Sequence, residues 1–131
     1  MFRVIDLKVV SIATEDLDDS VATFRNHFGF PVTRSADSTS AKSRSVSLGI
    51  GAAEIEMTTP IGEGSPLASF LAERGPGLHE LVLEVDDLEA AKVELSARGI
   101  EVSVKAATDG RQAGFLSATQ THGVRITLVA R

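Results

Sequence analysis

Two stretches of alternating apolar and polar residues, each running into an amphipathic helix, organise this chain. Val9-Val10-Ser11-Ile12-Ala13-Thr14-Glu15-Asp16-Leu17 reads as a strand that ends at an acidic helix cap. Glu80-Leu81-Val82-Leu83-Glu84-Val85-Asp86-Asp87-Leu88 repeats the pattern. In the first helix Leu17, Val21, Phe24 and Phe28 share a face; in the second Leu88, Ala91 and Leu95 do, with Gly99 as the C′ residue. Each helix gives way to a β-like run, Phe30-Pro31-Val32-Thr33 and Ile100-Glu101-Val102-Ser103-Val104. Two further strands follow in each half, over about 44–48 and 53–58 in the first and about 114–118 and 124–129 in the second, joined by turns at Gly49-Ile50-Gly51 and Thr121-His122-Gly123. Ser65 as N-cap, Pro66 at N1 and Gly75 past the end mark a short helix between the halves. The polar, Ser-rich stretch 35–43 reads as a mobile loop.

The pattern predicts a single α+β domain over 1–131: one βαβββ module over about 4–60, a linker helix over about 61–76, and a second module over about 77–131. One small sheet with one helix cannot cover both of its faces. Paired modules are therefore expected to form a curved mixed sheet around a cleft, with the helices on the convex side. Strand alternation then sorts the side chains. Val10, Ile12 and Thr14 are assigned to the helix side and Val9, Ser11 and Ala13 to the cleft. Leu81, Leu83 and Val85 pack, while Glu80, Val82 and Glu84 face the cleft; Ile55 and Met57 pack, while Glu54, Glu56 and Thr58 face away from them. Ile126 and Leu128 pack, and Arg125, Thr127 and Val129 line the cleft.

Composition narrows the chemistry. A length of 131 residues suits one domain, and 43% apolar content supplies a core. The absence of cysteine excludes disulfides, thiolate metal sites and a Cys nucleophile. Six Phe with no Trp or Tyr, and a net charge of -5, argue against a nucleic-acid partner. No apolar run approaches the about 18 residues of a membrane span, and the first residues show no signal-peptide pattern, so a soluble cytoplasmic protein is expected.

Gly62-Glu63-Gly64-Ser65-Pro66-Leu67-Ala68-Ser69-Phe70-Leu71, then Gly75-Pro76-Gly77-Leu78-His79 and the strand 80–88, resemble the linker and fifth strand of methylmalonyl-CoA epimerases. Ala13-Thr14-Glu15-Asp16-Leu17, Phe115-Leu116 and Thr121-His122-Gly123-Val124 fit as well. The resemblance places the chain in the vicinal-oxygen-chelate (glyoxalase/bleomycin-resistance/dioxygenase) superfamily and implies a glyoxalase-like fold and, commonly, a homodimer. It also implies a divalent metal held by four cleft-facing residues, two His, one Gln or Glu and one Glu. Carried over, these positions are Val9, Glu56, Glu80 and Thr127. Two donors are absent and one imidazole has become a carboxylate, so no metal or other cofactor is expected; a divalent metal on Glu56 and Glu80 is the secondary reading.

Glu56 and Glu80 are therefore the catalytic candidates. Two close carboxylates cannot both ionise cheaply, which makes such a pair able to take and return a proton. Arg125, on the face of Thr127, is the candidate cation for a substrate carboxylate or developing enolate, the plainer alternative being that it neutralises Glu56 or Glu80. Thr127, His122, Glu84 and Ser11 complete the candidate substrate contacts, although His122 also reads as an exposed turn residue. His79 is read as a packing or capping residue, and His27 as complementing a helix dipole. Arg111-Gln112, after Thr108-Asp109-Gly110, reads either as a greeting for an anionic tail such as coenzyme A or as a solvated loop. Three functions fit: an isomerase, epimerase or lyase moving a proton next to a carbonyl of an acyl-CoA-like or small carboxylic substrate; a non-catalytic protein of the same fold that sequesters a small molecule, as resistance proteins do; and a metal-dependent methylmalonyl-CoA epimerase.

Overall fold

The structure is a computed structural model that describes residues 1–107 and 109–131, so Thr108 of the predicted loop lies outside the described residues. In chain order the elements are β1 (Val4–Ala13), α1 (Leu17–Phe28), β2 (Val32–Ser38), β3 (Ser43–Ile50), β4 (Ala53–Pro60), α2 (Pro66–Arg74), β5 (Gly77–Val85), α3 (Leu88–Ala97), β6 (Ser103–Ala106), β7 (Gln112–Leu116) and β8 (Arg125–Ala130). The twofold βαβββ order is present, and the fold is mixed α+β. Two compact units can be distinguished: Val10–His79, and Met1–Val9 with Glu80–Arg131.

In the unit Val10–His79 the strand order is β2-β3-β4-β1. Asp16 caps α1 by accepting from the Asp19 N–H at 3.0 Å, and Gly29, at φ 73°, closes it. Leu17, Val21 and Phe24 pack on Ile12, Val46, Leu48, Ile55 and Met57, as their spacing predicts. Phe28, expected on the same face, is 62% exposed, because α1 ends there; its ring stacks on Phe30 at 5.9 Å instead. The predicted loop over 35–43 is mostly strand. Ser35 pairs with Val46, Ala36 with Ser45, Asp37 with Arg44 and Ser38 with Ser43, and the Arg44 guanidinium meets Asp37 at 3.0 Å. Nearly every residue of β2 is exposed on both faces, so nothing in its sequence had to alternate. The first hairpin turns at Gly51-Ala52 rather than over 49–51, since Ile50 already pairs with Ala53.

The linker helix α2 forms as its caps predict: Ser65 Oγ accepts from the Ala68 N–H at 3.1 Å, and the Gly75 N–H donates to the Leu71 carbonyl at 2.9 Å. Its Leu67, Phe70 and Leu71 pack on Ala13. This corrects one face assignment. Ala13 does not line an open cleft; it is fully buried under α2, whose apolar face has to be covered and fits closely over a small residue.

In the unit that holds Glu80–Arg131, β5, β8, β7 and β6 follow in that order, with β5 and β8 parallel and the remaining pairs antiparallel. Leu83 and Val85 of β5, Ile126 and Leu128 of β8, Leu116 of β7 and Val104 of β6 pack with Leu88, Ala91 and Leu95 of α3. The helix ends in a Schellman arrangement, with the Ile100 N–H donating to the Leu95 carbonyl and the Gly99 N–H to the Ser96 carbonyl. Gly99 is thus the C′ residue. The strand expected from Ile100 begins only at Ser103, because Ile100 is used in that cap and Val102 is buried in the core. Similarly β7 spans Gln112–Leu116 instead of 114–118, and Ala118 belongs to a 3-10 turn, Ala118–Gln120.

Two outcomes follow from this packing. A Cβ on Gly114 would lie 2.9 Å from Val102 Cγ1 and 3.1 Å from Leu88 Cδ1. Gly114→Ala is therefore expected to cost about 1–3 kcal/mol in urea denaturation. Asp86 accepts the Arg3 N–H at 2.8 Å, and this hydrogen bond holds its carboxyl below the usual value. A lowered carboxyl stabilises the fold above its unfolded pKa and loses that contribution as pH falls through the folded value. Asp86→Asn should therefore be the less stable variant at neutral pH, with the gap to the parent closing below about pH 4 when denaturation midpoints are compared.

Candidate functional site

Alternation in β5 and β8 decides which side chains are available for chemistry. Since Leu83, Val85, Ile126 and Leu128 are committed to α3, Glu80, Val82, Glu84, Arg125, Thr127 and Val129 project from the opposite face. The parallel register sets Glu80 beside Arg125 and Val82 beside Thr127. On this face Thr127 Oγ1 donates to Glu80 Oε2, and Thr127 is buried. Glu84 lies 4.0 Å from the Lys8 ammonium. Arg125 is half-buried, and among the described residues its side chain makes no hydrogen bond or ion pair. Although the register sets it beside Glu80, Arg125 forms no ion pair with that carboxylate.

The unit Val10–His79 holds a matching pair. Ser11, fully buried on β1, donates from Oγ to Glu56 Oε1 at 2.9 Å, and Glu56 sits opposite Ser47 on β4. Each candidate carboxylate thus has one oxygen held by a hydroxyl from a buried strand position. A carboxylate oxygen that accepts from a hydroxyl on a neighbouring strand is held in one orientation.

The remaining candidates are placed elsewhere. His122 is exposed in the turn before β8, with φ 59°, and carries no site contact of its own. His79 is set edge-on to the Phe70 ring of α2, with centroids 4.9 Å apart, which agrees with a packing role. His27 lies in the last turn of α1. The Arg111 guanidinium donates to the Ala130 carbonyl at 3.3 Å, and its backbone N–H to Asp109 at 2.9 Å. Two features escaped the sequence reading. Lys8 faces Glu84, and Lys105 Nζ stands over the Phe115 ring at 5.1 Å from the centroid. The alternation of Val104 and Lys105 carried the second signal, once Val104 is known to pack under α3.

The residues do not fit a tight divalent metal of the kind that the resemblance implies. Val9 and Thr127 stand at two of the four strand positions, and Thr127 spends its hydroxyl proton on Glu80. Among the described residues no group of three or more His, Asp or Glu could hold a metal ion. What the β5–β8 face can do is hold the Glu80 carboxylate in a fixed orientation and present a guanidinium to an anion.

The profile of the Glyoxalase/Bleomycin resistance protein/Dioxygenase superfamily matches residues 10–116. An ethylmalonyl-CoA/methylmalonyl-CoA epimerase of Cereibacter sphaeroides is 32% identical over 128 residues, spanning 93% of this chain and 95% of its own. The crystal structure of methylmalonyl-CoA epimerase from Mycobacterium tuberculosis superimposes with a TM-score of 0.85 at 30% identity, covering 97% of this chain and 88% of its own. A methylmalonyl-CoA epimerase in complex with methylmalonyl-CoA and NH4+ gives a TM-score of 0.85 at 26% identity, covering 98% and 95%.

The Thr127–Glu80 contact generates a prediction. Thr127→Val keeps the shape and removes the donor, and should cost about 1.5–3 kcal/mol in denaturant unfolding, as hydrogen bonds to charged groups do. Thr127→Ser should cost less. In a Glu80→Gln background the Thr127→Val penalty should shrink, and an unchanged penalty would mean that the hydroxyl does not act through Glu80.

Proposed function

The chain belongs to the Glyoxalase/Bleomycin resistance protein/Dioxygenase superfamily, and from that premise we propose that it is an epimerase-type isomerase moving a proton at the carbon next to a thioester carbonyl. The substrate class is a malonyl-type acyl-CoA, which carries a free carboxylate beside the thioester; relatives at 30–32% identity are named for such substrates. One observation carries the reading: each unit holds a strand carboxylate oriented by a buried hydroxyl, Ser11 to Glu56 and Thr127 to Glu80.

In this mechanism a carboxylate oxygen accepts the α-proton, the C–H bond pair passes into the enolate, and a carboxylic acid returns a proton to the opposite face of the carbon. Glu56 and Glu80 are the two groups assigned to these steps. Arg125 supplies positive charge to the substrate carboxylate or enolate oxygen, and Thr127 and Ser11 keep the carboxylates aimed. Glu84 and His122 are secondary contacts. No step runs through a metal, because the donor set does not fit one. The same reading extends to a cytoplasmic homodimer: Phe28, Val32 and Ile50 expose 62, 42 and 43% of their surface, apolar area that a second copy would cover. Among the described residues no helix is long and apolar enough to cross a membrane.

The loss of imidazole donors equally suits a protein that binds a small molecule without turnover, and one experiment separates the two. With methylmalonyl-CoA in deuterated water, the enzyme should exchange the α-proton for deuterium, read by mass spectrometry. Glu80→Gln and Glu56→Gln should each slow the exchange by about a hundredfold or more, while exhaustive chelation should leave it unchanged. Tight binding without exchange would favour sequestration, and loss of exchange on chelation would restore the metal-dependent reading.

A further inference from the structure

The surroundings of Glu56 lie within the unit Val10–His79, and strand alternation defines them. Val46 and Leu48 of β3, Ile55 and Met57 of β4 and Ile12 of β1 pack with α1, so Ser45, Ser47, Glu54, Glu56, Thr58 and Ser11 project from the opposite face. In the β3–β4 register Ser45 is opposite Thr58, Ser47 is opposite Glu56 and Gly49 is opposite Glu54. Between Ser45 and Gly49 on β3, and between Glu54 and Thr58 on β4, no apolar side chain shares this face.

The hydroxyls on this face are unevenly used. Ser11 Oγ donates to Glu56 at 2.9 Å, Ser45 Oγ to the Ala36 carbonyl at 3.5 Å and Thr58 Oγ1 to the Arg44 carbonyl at 3.5 Å. Ser47 is only 2% exposed, yet among the described residues its hydroxyl makes no hydrogen bond. A hydroxyl withdrawn from water without a partner is destabilising, and buried polar groups in folded proteins nearly always have one. Opposed side chains on an antiparallel pair have Cβ atoms about 4.5–5.5 Å apart, so Ser47 is a direct neighbour of the carboxylate assigned to proton transfer. On the same face the Arg34 guanidinium, 3.2 Å from Glu54, joins β2 to β4 across β3. The Arg34 side chain is 60% exposed, and a surface ion pair of this kind is too weak to bar a ligand.

An unspent hydroxyl beside the reacting carbon selects a substituent. Besides the thioester, the carboxylate and the proton that Glu56 takes, the α-carbon of a malonyl-type thioester carries one further group. An alkyl group there would lie against Ser47, leave its hydroxyl unpaired and find little apolar surface among Ser and Gly. A hydroxyl in its place accepts from Ser47 Oγ and restores the bond that the serine has lost on leaving water. Methyl and hydroxyl are close in size, so hydrogen bonding and not shape makes the choice.

We propose that Ser47 is a specificity-determining residue that binds a hydroxyl on the α-carbon, so that the preferred substrate is a hydroxyl-bearing malonyl-type thioester and not an alkyl-bearing one. The inference rests on the acyl-thioester reading above, but its test compares affinities and needs no turnover. In calorimetric titration hydroxymalonyl-CoA should bind about tenfold more tightly than methylmalonyl-CoA, from which it differs by a hydroxyl for a methyl. Ser47→Ala should abolish this preference, and Ser47→Thr, which keeps the donor, should retain it. Equal affinities in the parent, tighter binding of methylmalonyl-CoA, or a preference that survives Ser47→Ala would overturn the proposal. Binding of neither thioester would overturn it together with the acyl-thioester reading. A Ser47-dependent preference without proton exchange would sink the isomerase reading alone, whereas exchange without the preference would sink only this proposal.

Discussion

The uninterrupted period-two alternation of β5 and β8 is the constraint on which the rest depends. Four apolar side chains, Leu83, Val85, Ile126 and Leu128, are buried or half-buried against α3. Fully burying such a side chain is worth about 1.5–3 kcal/mol. A slip of one residue would exchange these for Glu84, Arg125 and Thr127 and place charge in the core. The register is therefore locked by packing on one face, and the chemistry on the other face is its consequence. Glu80 meets Thr127 because Leu83 and Leu128 have no other place to go.

The hydroxyl anchors give that face its character. Thr127 and Ser11 are both buried, and each donates its proton to a carboxylate that is only half-buried. A rigid donor beneath a partly accessible acceptor fixes the direction in which the carboxylate faces. Orientation is thus supplied by covalent attachment to two strands. In a metal site of the implied kind the same residues would have to converge on one ion, and Thr127, already committed to Glu80, has no anionic donor to offer.

How far this was legible in the sequence follows from what each signal encodes. Helix ends were readable because caps are local: Asp16, Ser65 and Gly99 each make the bonds that their positions imply. Faces of the central strands were readable because burial on one side forces alternation. The polar stretch over 35–43 was not, since β2 is exposed on both sides and its pairing with β3 resides in backbone groups that leave no mark on residue choice. Ala13 misled for a different reason: alternation gives the side of a strand but not what covers that side, and α2 covers it. The Lys105–Phe115 contact joins two strands whose register depends on where β6 begins, and the Ile100 cap moves that start by three residues. Glu56, Glu80, Thr127 and Arg125 could be singled out as candidates in advance; that Thr127 and Ser11 would be donors to the two carboxylates could not, because side-chain rotamers are not written in spacing.

The choice of cation limits the chemistry in the proposed reading. A guanidinium stays protonated across the physiological range and makes planar, directional hydrogen bonds, so Arg125 suits a carboxylate or an enolate oxygen equally well. Its single charge is spread over three nitrogens, however, and Arg125 is only half-buried, so water screens part of its field. Such a site stabilises an enolate less than a multiply charged centre in a dry pocket would. The deficit has to be met by the substrate, and a thioester meets it better than an ester, an amide or a free acid, because its α-proton is the more acidic. In the proposed reading the electrostatics of Arg125 therefore suit an activated acyl group.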